Sequence, residues 1–215
     1  MKEEIKKRLS TFFDSYPIKK YKKGQVLFEA GQSFDSVYWV KSGYLWAYDV
    51  NKENKEIGIQ VFQPLYYFPL ISLKTGGKCQ HRIESLTPVE ILVAPKADFE
   101  KFLAKNPRID EAINLSIMEK FTDLTAYMSQ LVGGDAYAKV AGLIYNLAKE
   151  FGVSRSGKVN TKFKITHKFI ASLTGLTRET VTLQMLKLEK NKVIDNERRQ
   201  VTILDNKELK RILGY

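Results

Sequence analysis

Residues 166–194, Thr-His-Lys-Phe-Ile-Ala-Ser-Leu-Thr-Gly-Leu-Thr-Arg-Glu-Thr-Val-Thr-Leu-Gln-Met-Leu-Lys-Leu-Glu-Lys-Asn-Lys-Val-Ile, leave the chain few ways to fold. They read as two helices joined by a tight turn. Ala171 is small enough for the second helix to cross the first closely, and Gly175 supplies the positive φ that so short a turn needs. Thr177 is then the N-cap of a helix running to about Lys190. That N-terminus presents Arg178, Glu179 and Thr182, side chains suited to reading base edges in a DNA major groove. Many packed helical hairpins share the small-x-x-x-Gly spacing, so spacing alone also allows a hairpin with no partner.

The charge distribution bears on that choice. Of the net +11, residues 136–215 carry +9, from sixteen Lys and Arg against seven Asp and Glu; residues 1–135 carry +2. Clustered positive charge on the part that holds the helical pair supplies affinity for a phosphate backbone through counterion release. No apolar run approaches the roughly 18–20 residues of a membrane span, and the charged start Met-Lys-Glu-Glu-Ile-Lys-Lys-Arg leads into no signal-peptide core. A single cysteine, Cys79, excludes an intrachain disulfide framework and fits a reducing, cytoplasmic setting.

Taken in order, residues 2–13 read as an amphipathic helix with Ile5, Leu9, Phe12 and Phe13 near one face. From Ile18 to Pro95, short apolar and aromatic runs alternate with turn residues. Ser36–Val40, Tyr44–Tyr48, Ile57–Phe62 and Val89–Val93 have the spacing of an antiparallel sandwich or roll, with Gly24, Gly31 and Gly43 at corners. Lys96–Ala104 is a short helix, punctuated by Asn106-Pro107. A long helix follows from about Arg108 to Leu131. Its Ile117, Phe121, Leu124, Met128 and Leu131 repeat at 4-3-4-3 spacing, the seam of a two-stranded coiled coil or the stripe of a helix packed on its own domain. Gly133-Gly134-Asp135 forms a hinge, Tyr137–Phe151 another helix, and Lys158–Ile165 pairs with Val201–Leu204 around a turn at 196–199. Arg198 and Arg199 there are phosphate contacts. His167 and Lys168 open the first helix of the pair, placed for phosphate or water. The expected organisation is α+β: a β-roll over 1–107, a long helix and hinge over 108–134, which the resemblance described next implies is a dimerisation helix, and a winged helix-turn-helix over 135–215.

Gly-Leu-Thr-Arg-Glu-Thr-Val-Thr at 175–182, followed by Leu-Lys-Leu-Glu-Lys at 186–190, resembles the recognition-helix signature of the Crp/Fnr family of bacterial transcription regulators. Lys23-Gly24-Gln25, Glu29-Ala30-Gly31-Gln32 and Tyr38–Gly43 resemble the opening hairpins of that family's cyclic-nucleotide-binding roll. The resemblance implies that Arg178 and Glu179 contact a guanine and a cytosine of each half-site. It departs at Thr182-Leu183, where the family often carries an arginine, so a second guanine contact is missing and Leu183 is free to touch a thymine methyl group. It also implies a homodimer on double-stranded DNA about the long helix, with RNA polymerase as a further partner.

In the family's cyclic-nucleotide members, a Gly-Glu pair and a downstream Arg-Ser pair hold the ligand. Here those positions are Phe68-Pro69 and Cys79-Gln80, and all four are changed. Proline removes a donor, and neither Cys nor Gln carries a fixed positive charge, so tight binding of cyclic AMP or cyclic GMP is not expected. The region, with Leu124, Thr125 and Met128 of the long helix, reads either as an aromatic pocket for another effector or as a core that has filled the cavity. Cys79 reads as an inert thiol or a redox site. With one cysteine and only His81 and His167 as histidines, the sequence calls for no cofactor or metal. No phosphate loop, His-Glu-x-x-His or nucleophile elbow is present, so an enzyme is not expected. The reading is a DNA-binding transcriptional regulator not controlled by cyclic AMP. The alternative is a ligand- or redox-sensing module with a protein-contact output and weakened or constitutive DNA binding, for which the loss of arginine at Leu183 speaks.

Overall fold

The computed structural model describes residues 3–69, 75–155, 158–197 and 199–213. They pack as two units, one comprising the chain up to Val50 with Ile59–Phe121, the other Asn51–Gly58 with the chain from Thr122 onward. The boundary between the two units falls within the long helix, between Phe121 and Thr122.

The first unit begins with α1 (Glu3–Phe13), then β1 (Ile18–Tyr21), β2 (Val26–Phe28), β3 (Ser36–Ser42) and β4 (Leu45–Val50). It continues with β5 (Glu56–Phe62), whose residues up to Gly58 count with the second unit, then β6 (Tyr67–Phe68), β7 (Arg82–Ser85), β8 (Val89–Pro95) and α2 (Lys96–Lys105). Two four-stranded sheets result, in the orders β1-β8-β3-β6 and β2-β7-β4-β5. The unbroken apolar run Val37-Tyr38-Trp39-Val40 has a physical reason. Side chains of a strand alternate faces, and β3 is buried on both. Val37 and Trp39 join Leu9 and Phe13 of α1, Phe99 and Leu103 of α2, and Ile109 and Ile113 of the long helix. Tyr38 and Val40 point the other way, into a core with Phe28, Leu45, Phe62, Phe68 and Ile83. Gly43 makes the β3–β4 corner possible: its φ is +84°, and a Cβ there would lie 2.1 Å from the Pro88 carbonyl oxygen.

The long helix, α3, runs Pro107–Gly133. Ile109 and Ile113 anchor its start in the first core, and Ile117 packs partly buried against the same cluster. Beyond them the exposed apolar residues are Met118, Phe121, Leu124, Met128 and Val132. The seam read from spacing thus shares Phe121, Leu124 and Met128 with the exposed stripe. Ile117 belongs to the roll's own core, and Leu131 is half-buried.

In the second unit α4 (Ala136–Phe151) is the central helix, its N-terminus capped by the Asp135 carboxylate, which accepts from the Ala138 amide at 2.8 Å. Around it lie β9 (Gly152–Arg155), β10 (Lys158–Thr161), α5 (His167–Thr174), α6 (Arg178–Lys190), β11 (Ile194–Glu197), β12 (Gln200–Ile203) and α7 (Asn206–Ile212). The sheet order is β11-β12-β10-β9. The expected pairing of the 158–165 segment with β12 holds only for its first part, through Val159↔Ile203 and Asn160↔Thr202. Phe163 and Ile165 leave the sheet and are buried instead, Phe163 edge-on to Phe151 at 5.7 Å. β9 and α7 are additions to the sequence reading. Both are short, and neither has enough periodicity to stand out from a loop.

Candidate nucleic-acid interface

Local chemistry builds the helical pair. The Thr166 hydroxyl accepts from the Phe169 amide at 3.1 Å and starts α5. Gly175, at φ +69°, ends it, its amide donating to the Ala171 carbonyl at 3.0 Å. Thr177 is extended and its hydroxyl accepts from the Thr180 amide at 3.1 Å, starting α6. Val181, Met185 and Leu188, spaced four and three apart, bury one face of α6. Arg178, Glu179, Leu183, Leu186, Lys187 and Lys190 are exposed. The partial positive charge of a helix N-terminus adds to Arg178 in attracting an anion.

Thr182, expected to read bases, is half-buried and hydrogen-bonded within the protein. Its hydroxyl lies 2.9 Å from the Arg178 carbonyl oxygen, an acceptor, so its one proton is donated there. His167 Nδ1 lies 2.8 Å from the same hydroxyl, within hydrogen-bond distance. This chain from α5 through Thr182 to the first turn of α6 fixes the two helices to each other. Lys168, adjacent, is paired with Glu56 at 2.9 Å. Neither link is visible in the sequence, since the partners are 15 and 112 residues away. A third, from Tyr127 of α3, donates to the Leu173 carbonyl oxygen at 2.8 Å. Burial pushes the Tyr127 hydroxyl up to about 12, so it remains a donor at all physiological pH.

The β11–β12 hairpin forms the wing. Arg199 is exposed at its turn with φ +67°, an unusual backbone for a residue with a Cβ, and its carbonyl accepts from the Ile165 amide at 2.8 Å. Arg198, the other expected phosphate contact, lies outside the described residues.

The residues assigned to an effector differ in burial. Phe68 and Pro69 are buried; Phe68 stacks on Tyr38 with ring centroids 5.3 Å apart and on Phe62 at 5.2 Å. Cys79 is buried in the same core, its thiol donating to the His81 carbonyl at 2.9 Å. Gln80, and Leu124, Thr125 and Met128 on α3, are exposed. Burial pushes the Cys79 thiol up, the opposite of what a reactive thiolate needs. Its alkylation in the folded protein is expected to be at least about tenfold slower than after unfolding, a contrast that timed iodoacetamide labelling checks. His81 holds Asp49 through Nδ1 at 3.0 Å. Among the described residues no helix is long and apolar enough to cross a membrane.

A family model described as cyclic nucleotide-binding domain matches residues 18–106, and one described as Crp-like helix-turn-helix domain matches residues 138–212. The chain is 24% identical over 188 residues to the global nitrogen regulator of Nostoc sp., covering 86% of this chain and 84% of that one. It is 24% identical over 198 residues to the fumarate and nitrate reduction regulatory protein of Yersinia pestis, covering 91% and 78%. The fold matches that of FixK2 from Bradyrhizobium japonicum with a TM-score of 0.78 at 16% identity, over 92% of this chain and 96% of that one. The fold and the capped recognition helix together define a two-domain DNA-binding regulator. The chain belongs to the Crp/Fnr family of bacterial transcriptional regulators. Regulators of this family bind DNA and act as dimers.

Proposed function

We propose that the chain is a cytoplasmic, homodimeric, sequence-specific regulator that reads a palindromic operator and is not controlled by cyclic AMP. The observation that carries this is the first turn of α6: capped by Thr177, tied to α5 through His167 and Thr182, and exposing Arg178 and Glu179. Arginine is bidentate to a guanine edge and glutamate accepts from cytosine N4, so the two side chains read neighbouring base pairs of a half-site. Two α6 helices one DNA turn apart, roughly 34 Å, then require an operator with two-fold symmetry. The packed aromatic surroundings of Phe68 and the absence of the cassette's acid and arginine support independence from cyclic nucleotides.

Selection of duplexes from a random library, with no effector added, tests the reading. Enrichment of a palindrome supports it and shows that the free protein binds DNA; failure of the intact dimer to enrich any sequence overturns an effector-free regulator. Arg178→Ala is expected to cost about 1–3 kcal/mol on the operator and to relax specificity at one base pair. Arg199→Ala keeps the Cβ, and with it the left-handed backbone strain, while removing a charge. Its expected effect is a similar loss on operator and random duplexes and a shallower salt dependence. Fluorescence anisotropy on both duplexes at several salt concentrations separates the two roles.

The reading as a redox module with a protein-contact output draws no support from Cys79, which is buried and has a raised thiol pKa.

A further inference from the structure

The turn of α6 beyond Arg178 and Glu179 holds Thr182 and Leu183, and the structure gives them different tasks. The Thr182 hydroxyl is engaged within the protein, 2.9 Å from the Arg178 carbonyl oxygen and 2.8 Å from His167 Nδ1. Leu183 has no polar atom and is 64% exposed; Leu186, its neighbour across one helical turn, is 56% exposed. The fold does not need either leucine, because Val181, Met185 and Leu188 already bury the opposite face. The other exposed side chains around the pair, Arg178, Glu179, Lys187 and Lys190, are all charged. Two leucines kept in water among charges on a groove-reading face point to an apolar target inside an anionic partner. The apolar group that the DNA major groove displays is the C5-methyl of thymine.

We propose that Leu183, supported by Leu186, is a specificity determinant that reads the C5-methyl group of a pyrimidine beside the base pairs read by Arg178 and Glu179. The inference rests on α6 being the groove helix. The polar readers and the apolar one share a continuous face, and the +9 of residues 136–215 favours DNA over an apolar protein surface as its occupant. Because 5-methylcytosine carries its methyl on the same ring carbon, the same contact accepts it.

The test uses the full-length protein and the duplex recovered by selection. Each thymine is replaced in turn by uracil, which removes only the methyl group, and affinity is read by anisotropy. The expected result is a loss of about fourfold at one thymine per half-site, the worth of one buried methyl group, and little change elsewhere. At that position a 5-methylcytosine–guanine pair binds more tightly than cytosine–guanine. Leu183→Ala still binds the operator but no longer distinguishes thymine from uracil, and Leu183→Arg moves the preference there to guanine. Equal affinity for thymine and uracil at every position, or an unchanged difference in Leu183→Ala, overturns the proposal and leaves the DNA-binding function standing. Absence of any operator preference in the wild-type protein overturns both.

Discussion

A Phe121→Asp, Met128→Asp double variant is expected to run as a monomer and to lose roughly 10²- to 10⁴-fold in operator affinity, because each half-site must then be bound without the tethered second one. Phe121 is 66% and Met128 53% exposed, and with Met118, Leu124 and Val132 they make an apolar stripe along α3 too long for scattered surface leucines or methionines. In the proposed homodimer a coiled-coil-like contact with a second α3 covers this stripe. Two aspartates on it place like charges across the dyad and bury carboxylates without partners, which a dimer does not tolerate. The monomer itself should stay folded, since α3 is anchored by Ile109, Ile113 and Ile117, which face the roll. Light scattering, circular dichroism and anisotropy on the operator make the check. A dimer with wild-type affinity would refute the assignment of this stripe to the interface.

Phe68→Ala should destabilise the protein by about 3–5 kcal/mol, the usual range for truncating a fully packed phenylalanine. Phe68 is 3% exposed and touches three rings: Tyr38 and Phe62 in stacked contacts and Phe28 edge-on at 5.9 Å. In the cyclic-nucleotide members this position belongs to the ligand cassette. Here the ring occupies it as core, and the cavity left by alanine is lined by aromatic carbon rather than by phosphate-binding donors. Urea titration of the variant measures the loss, and calorimetry with cyclic AMP is expected to give no binding for either protein. A low-micromolar dissociation constant for the wild-type chain would overturn the reading of this region.

The helical pair was legible because its determinants are local. A cap hydroxyl and a glycine at the preceding helix's C-terminus lie within one short stretch, so Thr177 and Gly175 followed from the residues alone; that Val181, Met185 and Leu188 form the buried face is added by the structure. The roll was legible as alternating strands, although the partition of its side chains was not. Trp39 and Tyr38 are adjacent and equally aromatic, and only the layers above and below β3 decide which core each enters. The long helix shows the limit most clearly. Its 4-3-4-3 pattern is the same whether the stripe meets a second helix or the helix's own domain, and the answer changes along its length. Ile117 goes to the roll, while Phe121 and Met128 stay outside. The two thiol readings of Cys79 and the two readings of Phe68 were likewise indistinguishable in sequence, because burial is a property of the assembled layers.

By itself the sequence determined the fold family, the capped turn that opens α6, and the concentration of charge beside it. Each of these depends on residues close together in the chain or on simple sums of charge. The tertiary structure alone decided which face of α3 is open, that Phe68 and Cys79 are core, and that Lys168 is held by Glu56. It also decided that the Thr182 hydroxyl is engaged with His167 and the Arg178 carbonyl, while Leu183 stays exposed. The reason is physical: a hydroxyl has one proton, and where it goes depends on an acceptor's position in space, which hydrophobic period and spacing do not encode.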